Sequence, residues 1–128
     1  MVVDDDVFNL SMLEMLITKS FSEKPFLASN GKIAVEVFEE TFNRFFKFKG
    51  KGCAHSKCHW TPLEIIFMDI NMPVMDGIEA TKRILRLQIE LRIKAIEQGL
   101  KPPKLCQVFA VTAFSSKKLE SRCQKAGI

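Results

Sequence analysis

Two apolar runs in the sequence end in acidic residues. A pair of valines leads into Asp4, Asp5 and Asp6, and the apolar run 65–68 leads into Asp69. A buried strand has this pattern when it ends by presenting a carboxylate at the edge of a sheet. Carboxylates that are brought together repel one another, and a divalent cation relieves the repulsion. The pattern predicts a small acidic pocket that binds such a cation and offers one oxygen as a nucleophile.

Magnesium and a phosphoryl group suit a pocket of this kind. Mg²⁺ prefers hard oxygen ligands and needs only one or two carboxylates directly, so it can bridge a carboxylate and a phosphate. Asp69 is the candidate nucleophile, because Pro73 and Gly77 constrain the loop after it. Thr112 follows another apolar run, and its hydroxyl could bind a phosphoryl oxygen. Taken singly, Asp4 to Asp6 could merely cap a helix, Asp69 could be a turn residue at the end of a strand, and Thr112 could be a core residue. Together they indicate acyl-phosphate chemistry.

These residues need elements that position them, and the apolar spacing alternates between strand and helix. It predicts strands over residues 1–3, 26–28, 65–68 and 108–111, and helices over about 9–20, 32–47, 77–98 and 117–126. The third helix is supported by apolar residues at helical spacing, Ile78, Ile84, Leu85, Ile89, Ile93 and Ile96. The alternation predicts an α/β fold with a mostly parallel sheet. Ligands of such sheets bind outside the carboxyl ends of the strands, where Asp4, Asp5, Asp69 and Thr112 would meet.

Length and composition favour one ordinary globular domain. The 128 residues suffice for one core, and 47% hydrophobic with 27% charged residues is a typical balance. No apolar run approaches the length of a membrane span, and no secretory signal precedes the four cysteines. We therefore expect a cytoplasmic protein with free thiols and without membrane insertion of this segment. The net charge of +4 is partly local, in a short basic run that we expect to face solvent, so direct nucleic-acid binding is not expected.

Residues 49–62 have no apolar period and predict a long loop insert between the second helix and the third strand. The loop contains Cys53, His55, Cys58 and His59, which are zinc ligands by type. Their spacing is poor for a structural zinc site, because adjacent residues such as Cys58 and His59 do not readily chelate one ion. A solvated loop is the favoured interpretation, and a zinc site is the alternative.

In its motifs, the chain resembles the receiver domain of two-component response regulators and hybrid histidine kinases. The matching segments follow in the family's order: residues 2–6 with Asn9, then 30–34, 68–81, 111–113 and 125–127. The resemblance covers essentially the whole chain, and the central segment is highly specific. It implies a flavodoxin-like doubly wound parallel sheet with strand order 2-1-3-4-5. Residues 1–128 would then form one receiver domain.

The resemblance also implies a role for each site residue. The implied magnesium site has four members, Asp4, Asp5, Asp69 and the backbone carbonyl of Asn71. Asp5 and Asp69 would bind the ion directly and Asp4 through water. Asp69 would accept the phosphoryl group, Thr112 would be the switch hydroxyl that moves to meet it, and Ala113 would leave it room.

The chain also departs from the family pattern. The family's lysine, usually followed by proline, lies beyond the point where this sequence stops at Ile128. The fifth strand and fifth helix would lie there too, and the first strand is short. We therefore expect the chain to be an incomplete receiver domain at its C-terminus, and nearly so at its N-terminus.

Three functions remain open from the sequence. The leading hypothesis is a phosphoacceptor that takes a phosphoryl group from a histidine kinase or a histidine phosphotransfer protein and then switches conformation. Such a module is not an enzyme beyond its own phosphorylation and dephosphorylation, and it could be part of a larger, membrane-attached kinase. A degenerate receiver that only binds other proteins is the alternative. An aspartyl-phosphate hydrolase is a third hypothesis, although Asn71 stands where that class has a second aspartate.

Overall fold

A computed structural model of the chain describes residues 1–48, 62–113 and 116–128. The elements are β1 (Val2–Val3), α1 (Val7–Phe21), β2 (Leu27–Ala28), α2 (Gly31–Lys47), β3 (Ile65–Met68), α3 (Gly77–Glu97), β4 (Gln107–Ala110) and α4 (Lys117–Ala126). All eight predicted elements are confirmed, with ends that shift by one or two residues. The predicted insert lies outside the described residues except for Pro62, so its structure and the zinc alternative stay predictions.

The four strands form one parallel sheet in the order β2-β1-β3-β4. This order is the beginning of the doubly wound arrangement that the resemblance implies. In a right-handed fold, the crossover from β1 to β2 runs the opposite way to the crossovers from β2 to β3 and from β3 to β4. The helix α1 therefore packs on one side of the sheet, and α2 and α3 pack on the other. We call these the α1 side and the α2–α3 side.

Side-chain caps fix where the helices begin. The residues Asp6, Asn30, Asp76 and Ser116 precede α1, α2, α3 and α4, and the side chain of each accepts a hydrogen bond from a backbone N–H in the first turn. Such caps satisfy donors that have no partner within the helix. The cap at Asp6 starts α1 two residues before the predicted Asn9. The apolar spacing missed this turn because its side chains Val7 and Phe8 are 70% and 86% exposed.

The main core lies on the α2–α3 side. Its largest fully buried side chains are Phe38 and Phe42 from α2, Ile66 and Met68 from β3, and Ile84 from α3. The rings of Phe38 and Phe42 lie 5.2 Å apart between centroids. Burial of these apolar surfaces fixes α2 and α3 to the strands.

The core face of α3 differs from the apolar stripe visible in the sequence. Its buried positions after Ile84 are Gln88, Leu91 and Ala95. Gln88 is 4% exposed, and its Oε1 accepts a hydrogen bond of 2.6 Å from the backbone N–H of Cys106. This bond ties α3 to the residue before β4.

The α1 side of the sheet is less covered. Val2 is fully buried there, but Ile65 and Phe109 are 43% and 46% exposed. The rings of Phe67 and Phe109 pack at 6.1 Å on the same side. In α1 itself only Leu10 is buried.

Among the described helices, none combines the length and apolar character that a membrane span requires.

Candidate functional site

The register of the parallel strands brings the predicted acids together. Val3 of β1 pairs with Met68 of β3, and the backbone N–H of Asp69 donates to the carbonyl of Val3 at 2.8 Å. Asp4 and Asp69 therefore leave neighbouring strands side by side. On the other side of β3, Met68 pairs with Ala110, so the residues that follow β4 reach the same edge.

Three carboxylates form one cluster at this edge. Oxygen atoms of Asp4, Asp5 and Asp69 all lie within 4.8 Å of one another. Asp4 is only 5% exposed, Asp69 is half-buried and Asp5 is exposed. A set of hard, anionic oxygens that opens to solvent on one side fits Mg²⁺, which keeps some of its waters when it binds. The predicted grouping of these acids is confirmed.

Asp4 is held in place by its neighbours in the chain. Its Oδ1 accepts a hydrogen bond of 2.8 Å from the backbone N–H of Asp6. The side-chain Nδ2 of Asn9 donates to Oδ1 at 3.3 Å and to Oδ2 at 3.1 Å. Asn9 thus supports the buried carboxylate, a role that the sequence did not reveal. The sequence signal that could have indicated this role is the position of Asn9, in the first turn of α1 and five residues after Asp4.

Asp69 is an acid with a perturbed environment. Its Oδ1 accepts a hydrogen bond of 2.7 Å from the backbone N–H of Ile70. The pKa of Asp69 is raised above its ordinary value, first by burial and further by the charges of Asp4 and Asp5, while backbone N–H groups of Ile70 and Asn71 oppose the shift. A carboxylate with this balance gains from a nearby cation, which would favour its charged form.

A cleft of about 470 Å³ opens beside the cluster. It is lined by Asp4, Asp5, Asp6, Asn9, Met12, Leu13, Asp69, Asn71, Val111, Thr112 and Ala113. The structure thus brings all six predicted site residues to one cleft. Thr112 is half-buried and Ala113 is exposed. None of the described residues that line the cleft is cationic.

The loop after Asp69 is held close to the sheet by Gly77. A Cβ atom at Gly77 would lie 2.1 Å from the backbone oxygen of Asp69, a distance that no side chain tolerates. The N–H of Gly77 donates to the carbonyl of Ile70 at 3.0 Å. The predicted constraint on this loop is therefore confirmed at Gly77. Val74, in the same loop, has a φ of 70°, which is strained for a β-branched residue.

The fold and the sequence both have relatives. No family model matches the chain. It is 30% identical over 96 residues to two-component response regulator 24 of Arabidopsis thaliana, covering 75% of this chain and 55% of that protein. The chain belongs to the receiver-domain family. This receiver therefore spans just over half the length of that relative.

Solved structures show the same fold. The receiver domain of the histidine kinase CKI1 from Arabidopsis thaliana, complexed with Mg²⁺, superimposes with a TM-score of 0.68 at 24% identity, covering 99% of this chain and 76% of that one. The receiver domain of the response regulator Ssk1 from Saccharomyces cerevisiae, in complex with the histidine phosphotransfer protein Ypd1, gives a TM-score of 0.66 at 23% identity, covering 98% and 70%. At these identities the likeness establishes the flavodoxin-like fold of this receiver, in agreement with the prediction.

Proposed function

We propose that this receiver, as one domain over residues 1–128, accepts a phosphoryl group on Asp69 in a magnesium-dependent phosphorelay. The observation that carries the proposal is the cluster of Asp4, Asp5 and Asp69 within 4.8 Å at the mouth of a cleft. Asp69 combines a raised pKa with a backbone that is fixed by its hydrogen bond to Val3 of the neighbouring strand. Clustered acids with shifted pKa values are typical of functional sites.

The donor set of the cleft fits Mg²⁺. Asp5 and Asp69 would bind the ion directly, Asp4 would act through water, and the backbone carbonyl of Asn71 would complete the protein ligands. Bound there, the ion offsets the negative charge of the carboxylates and of an approaching phosphoryl group. Asn9 keeps the buried Asp4 oriented toward the cluster. The CKI1 receiver with Mg²⁺ supports the choice of ion.

Asp69 would act as the nucleophile toward a phosphohistidine. One of its carboxylate oxygens forms a bond to phosphorus while the bond from phosphorus to the imidazole nitrogen breaks. The electron pair of that bond returns to the imidazole, and the product is a mixed carboxylic–phosphoric anhydride on Asp69. The net reaction transfers the group from one protein to the other without water.

Thr112 and Ala113 would sense the new phosphoryl group. Both line the cleft beyond the end of β4 and a few residues before α4. The Thr112 hydroxyl would bind a phosphoryl oxygen, and the small side chain of Ala113 would leave space for the group. Because this segment connects directly to α4, its movement would shift a two-state equilibrium at that helix.

The partner would be a histidine kinase or a histidine phosphotransfer protein. Helix α1 borders the cleft through Met12 and exposes a run of apolar side chains beside it. Val7, Phe8 and Met15 are 70%, 86% and 64% exposed. Such a surface suits a helix that carries the donor histidine into the cleft. The complex of the Ssk1 receiver with Ypd1 supports this partner class. A phosphorelay of this kind would place the receiver in the cytoplasm, alone or within a larger kinase.

Phosphorylation with a small phosphodonor tests the proposal. We expect a mass increase of one phosphoryl group that requires Mg²⁺, survives acid and is lost with hydroxylamine. Asp69→Asn should abolish it. Asp76→Asn is the matched control, because Asp76 lies in the same loop but caps α3 and is outside the cluster. Equal labelling of the Asp69 variant would remove Asp69 from the chemistry.

The interaction-module alternative has one observation in its favour, since no cationic side chain is among the described residues that line the cleft. A cation near the phosphoryl group normally stabilises the transition state. Absence of labelling with every phosphodonor, together with retained binding of a phosphotransfer protein, would favour this alternative.

A further inference from the structure

The outer face of α3 carries an apolar stripe that the fold does not use. Ile89, Ile93 and Ile96 follow one another at spacings of four and three residues, which place them along one side of a helix. They are 58%, 52% and 60% exposed. The opposite side of the same turns is buried through Leu91 and Ala95, so the core holds the stripe outward.

The residues that border the stripe directly carry opposite charges on its two flanks. Glu90 and Glu97 each follow a stripe residue directly and lie on the flank toward α2, where Lys94 lies 5.1 Å from the centre of the Phe46 ring. Arg92 lies on the other flank. It follows Leu85 by seven residues and therefore lies on the same side of the helix as Leu85, which contacts the end of α4. The Nη1 atom of Arg92 is buried and has no acceptor among the described residues.

We propose that this stripe pairs with the same stripe of a second copy of the chain, with the two α3 helices parallel. Spacings of four and three residues are those of the seam of a two-stranded coiled coil. In a symmetric pair with parallel helices, the arginine flank of each copy faces the glutamate flank of the other. In the antiparallel pair each flank meets itself, so arginine would face arginine and glutamate would face glutamate. The charges therefore favour the parallel pair.

Arg92 and Glu97 are the residues that select the partner. In a parallel coiled coil, a residue just before one seam position pairs with the residue five places on in the other helix. Arg92 and Glu97 have this separation, and twofold symmetry makes the contact twice. Three isoleucines per copy give a small interface, of the size found in weak and transient complexes. The pair should therefore form as the protein concentration rises.

The pair would leave the acidic cleft open. The stripe begins twelve residues after Gly77, which contacts the Asp69 backbone. At the rise of an α-helix this separation is about 18 Å. The proposal is thus independent of phosphorylation, and Asp69→Asn should dimerise as the unmodified chain does.

Sedimentation velocity over a rising concentration series tests the pairing. We expect a monomer–dimer equilibrium that Ile93→Ser weakens by at least tenfold, while Leu16→Ser, at a position on α1 that is 50% exposed against 52% for Ile93, leaves it unchanged. Circular dichroism should show both variants folded, because neither side chain is in the core. A chain that stays monomeric at millimolar concentration, or a dimer that Ile93→Ser does not affect, overturns the proposal.

Charge variants test the orientation. Arg92→Glu alone and Glu97→Arg alone should each weaken the homodimer roughly tenfold, since like charges then meet twice. A mixture of the two variants should form a heterodimer close to the original affinity, because every facing pair is again of opposite charge. A mixture that associates no better than its components overturns the parallel arrangement.

Discussion

The two sides of the sheet are built from the same strands yet differ in how completely they are covered. In β3, Ile66 faces α2 and α3 and is fully buried, whereas its neighbour Ile65 faces the α1 side and is 43% exposed. Among the described residues, two helices, the phenylalanine-rich α2 and the aliphatic α3, cover the first side, and a single helix with one buried residue covers the second. The comparison shows that apolar character in a strand does not decide burial. The number of helices that pack on each side decides it.

A pair of matched substitutions gives the largest test of this difference. Ile66→Ala removes a buried side chain from the α2–α3 side and should lower the free energy of unfolding by about 3–4 kcal/mol. Ile65→Ala changes the same residue type one position earlier on the α1 side and should cost about 1 kcal/mol. Urea titration of both variants measures the two values. Equal losses would show that the α1 side is as well packed as the other.

Gln88 tests a polar contact within the better-covered side. Gln88→Ala leaves the buried N–H of Cys106 without its acceptor and should cost about 2 kcal/mol. Gln98→Ala, an exposed position at the end of the same helix, should change stability by less than about 0.5 kcal/mol. Thermal unfolding of the two variants checks this. A small loss at Gln88 would mean that water replaces the side chain, and that this side is more open than the structure indicates.

The acidic cleft lies at the carboxyl ends of the strands, an edge that both sides of the sheet share. Binding of Mg²⁺ to its carboxylates should raise the free energy of unfolding. At a free concentration tenfold above the dissociation constant, the ion should stabilise the folded receiver by about 1.4 kcal/mol. Asp69→Asn should reduce this gain, while Asp76→Asn should retain it. Calorimetric unfolding with and without Mg²⁺ measures the effect. A gain that survives in the Asp69 variant would place the ion elsewhere.

The pH dependence of stability without Mg²⁺ follows from the same carboxyl group. Because the pKa of Asp69 is raised in the fold above its ordinary value of 3.8, the folded state holds this proton more tightly than the unfolded state. The contribution of Asp69 to the free energy of unfolding is thus largest below the unfolded pKa and falls as the pH rises through the folded pKa. Asp69→Asn should lack this fall, which urea titrations across the acidic range would detect. Identical pH profiles for the two proteins would contradict the raised pKa.

The smallest expected effect is at Val74, in the loop beside the cleft. Its φ of 70° is unfavourable for a β-branched residue, so Val74→Gly should stabilise the fold by about 0.5–1 kcal/mol. The side chain is 79% exposed, and little packing is lost. A lower melting temperature in this variant would show that the valine makes a contact that outweighs its strain.

The parallel register explains how much of the site could be predicted. Asp4 and Asp69 each follow an apolar run, and adjacent parallel strands carry such residues to one edge. The role of Asn9 could not be predicted in this way, because its contact with Asp4 depends on the direction of the first turn of α1. That turn begins with exposed apolar residues that hide the helix start from the hydrophobic period.

Helix α3 shows the corresponding limit for the core. Its isoleucines give a clear helical period, and the helix was predicted nearly to its last residue. The period alone does not show which side of the helix meets the sheet. In the structure Gln88 is buried and Ile89 is exposed, because a backbone N–H on the sheet side requires an acceptor. A buried polar residue of this kind becomes recognisable only once its partner is known.

The buried thiol of Cys106 provides an intrinsic reporter of local opening. It lies directly before β4, an edge strand of the described sheet, is 4% exposed, and has a pKa raised to about 12 by burial. Attack on an alkylating reagent needs the thiolate, and a thiol with so high a pKa is almost entirely protonated at neutral pH. Modification of Cys106 should therefore occur only while β4 is detached. The rate of modification at Cys106 would therefore report how often β4 separates from the rest of the sheet.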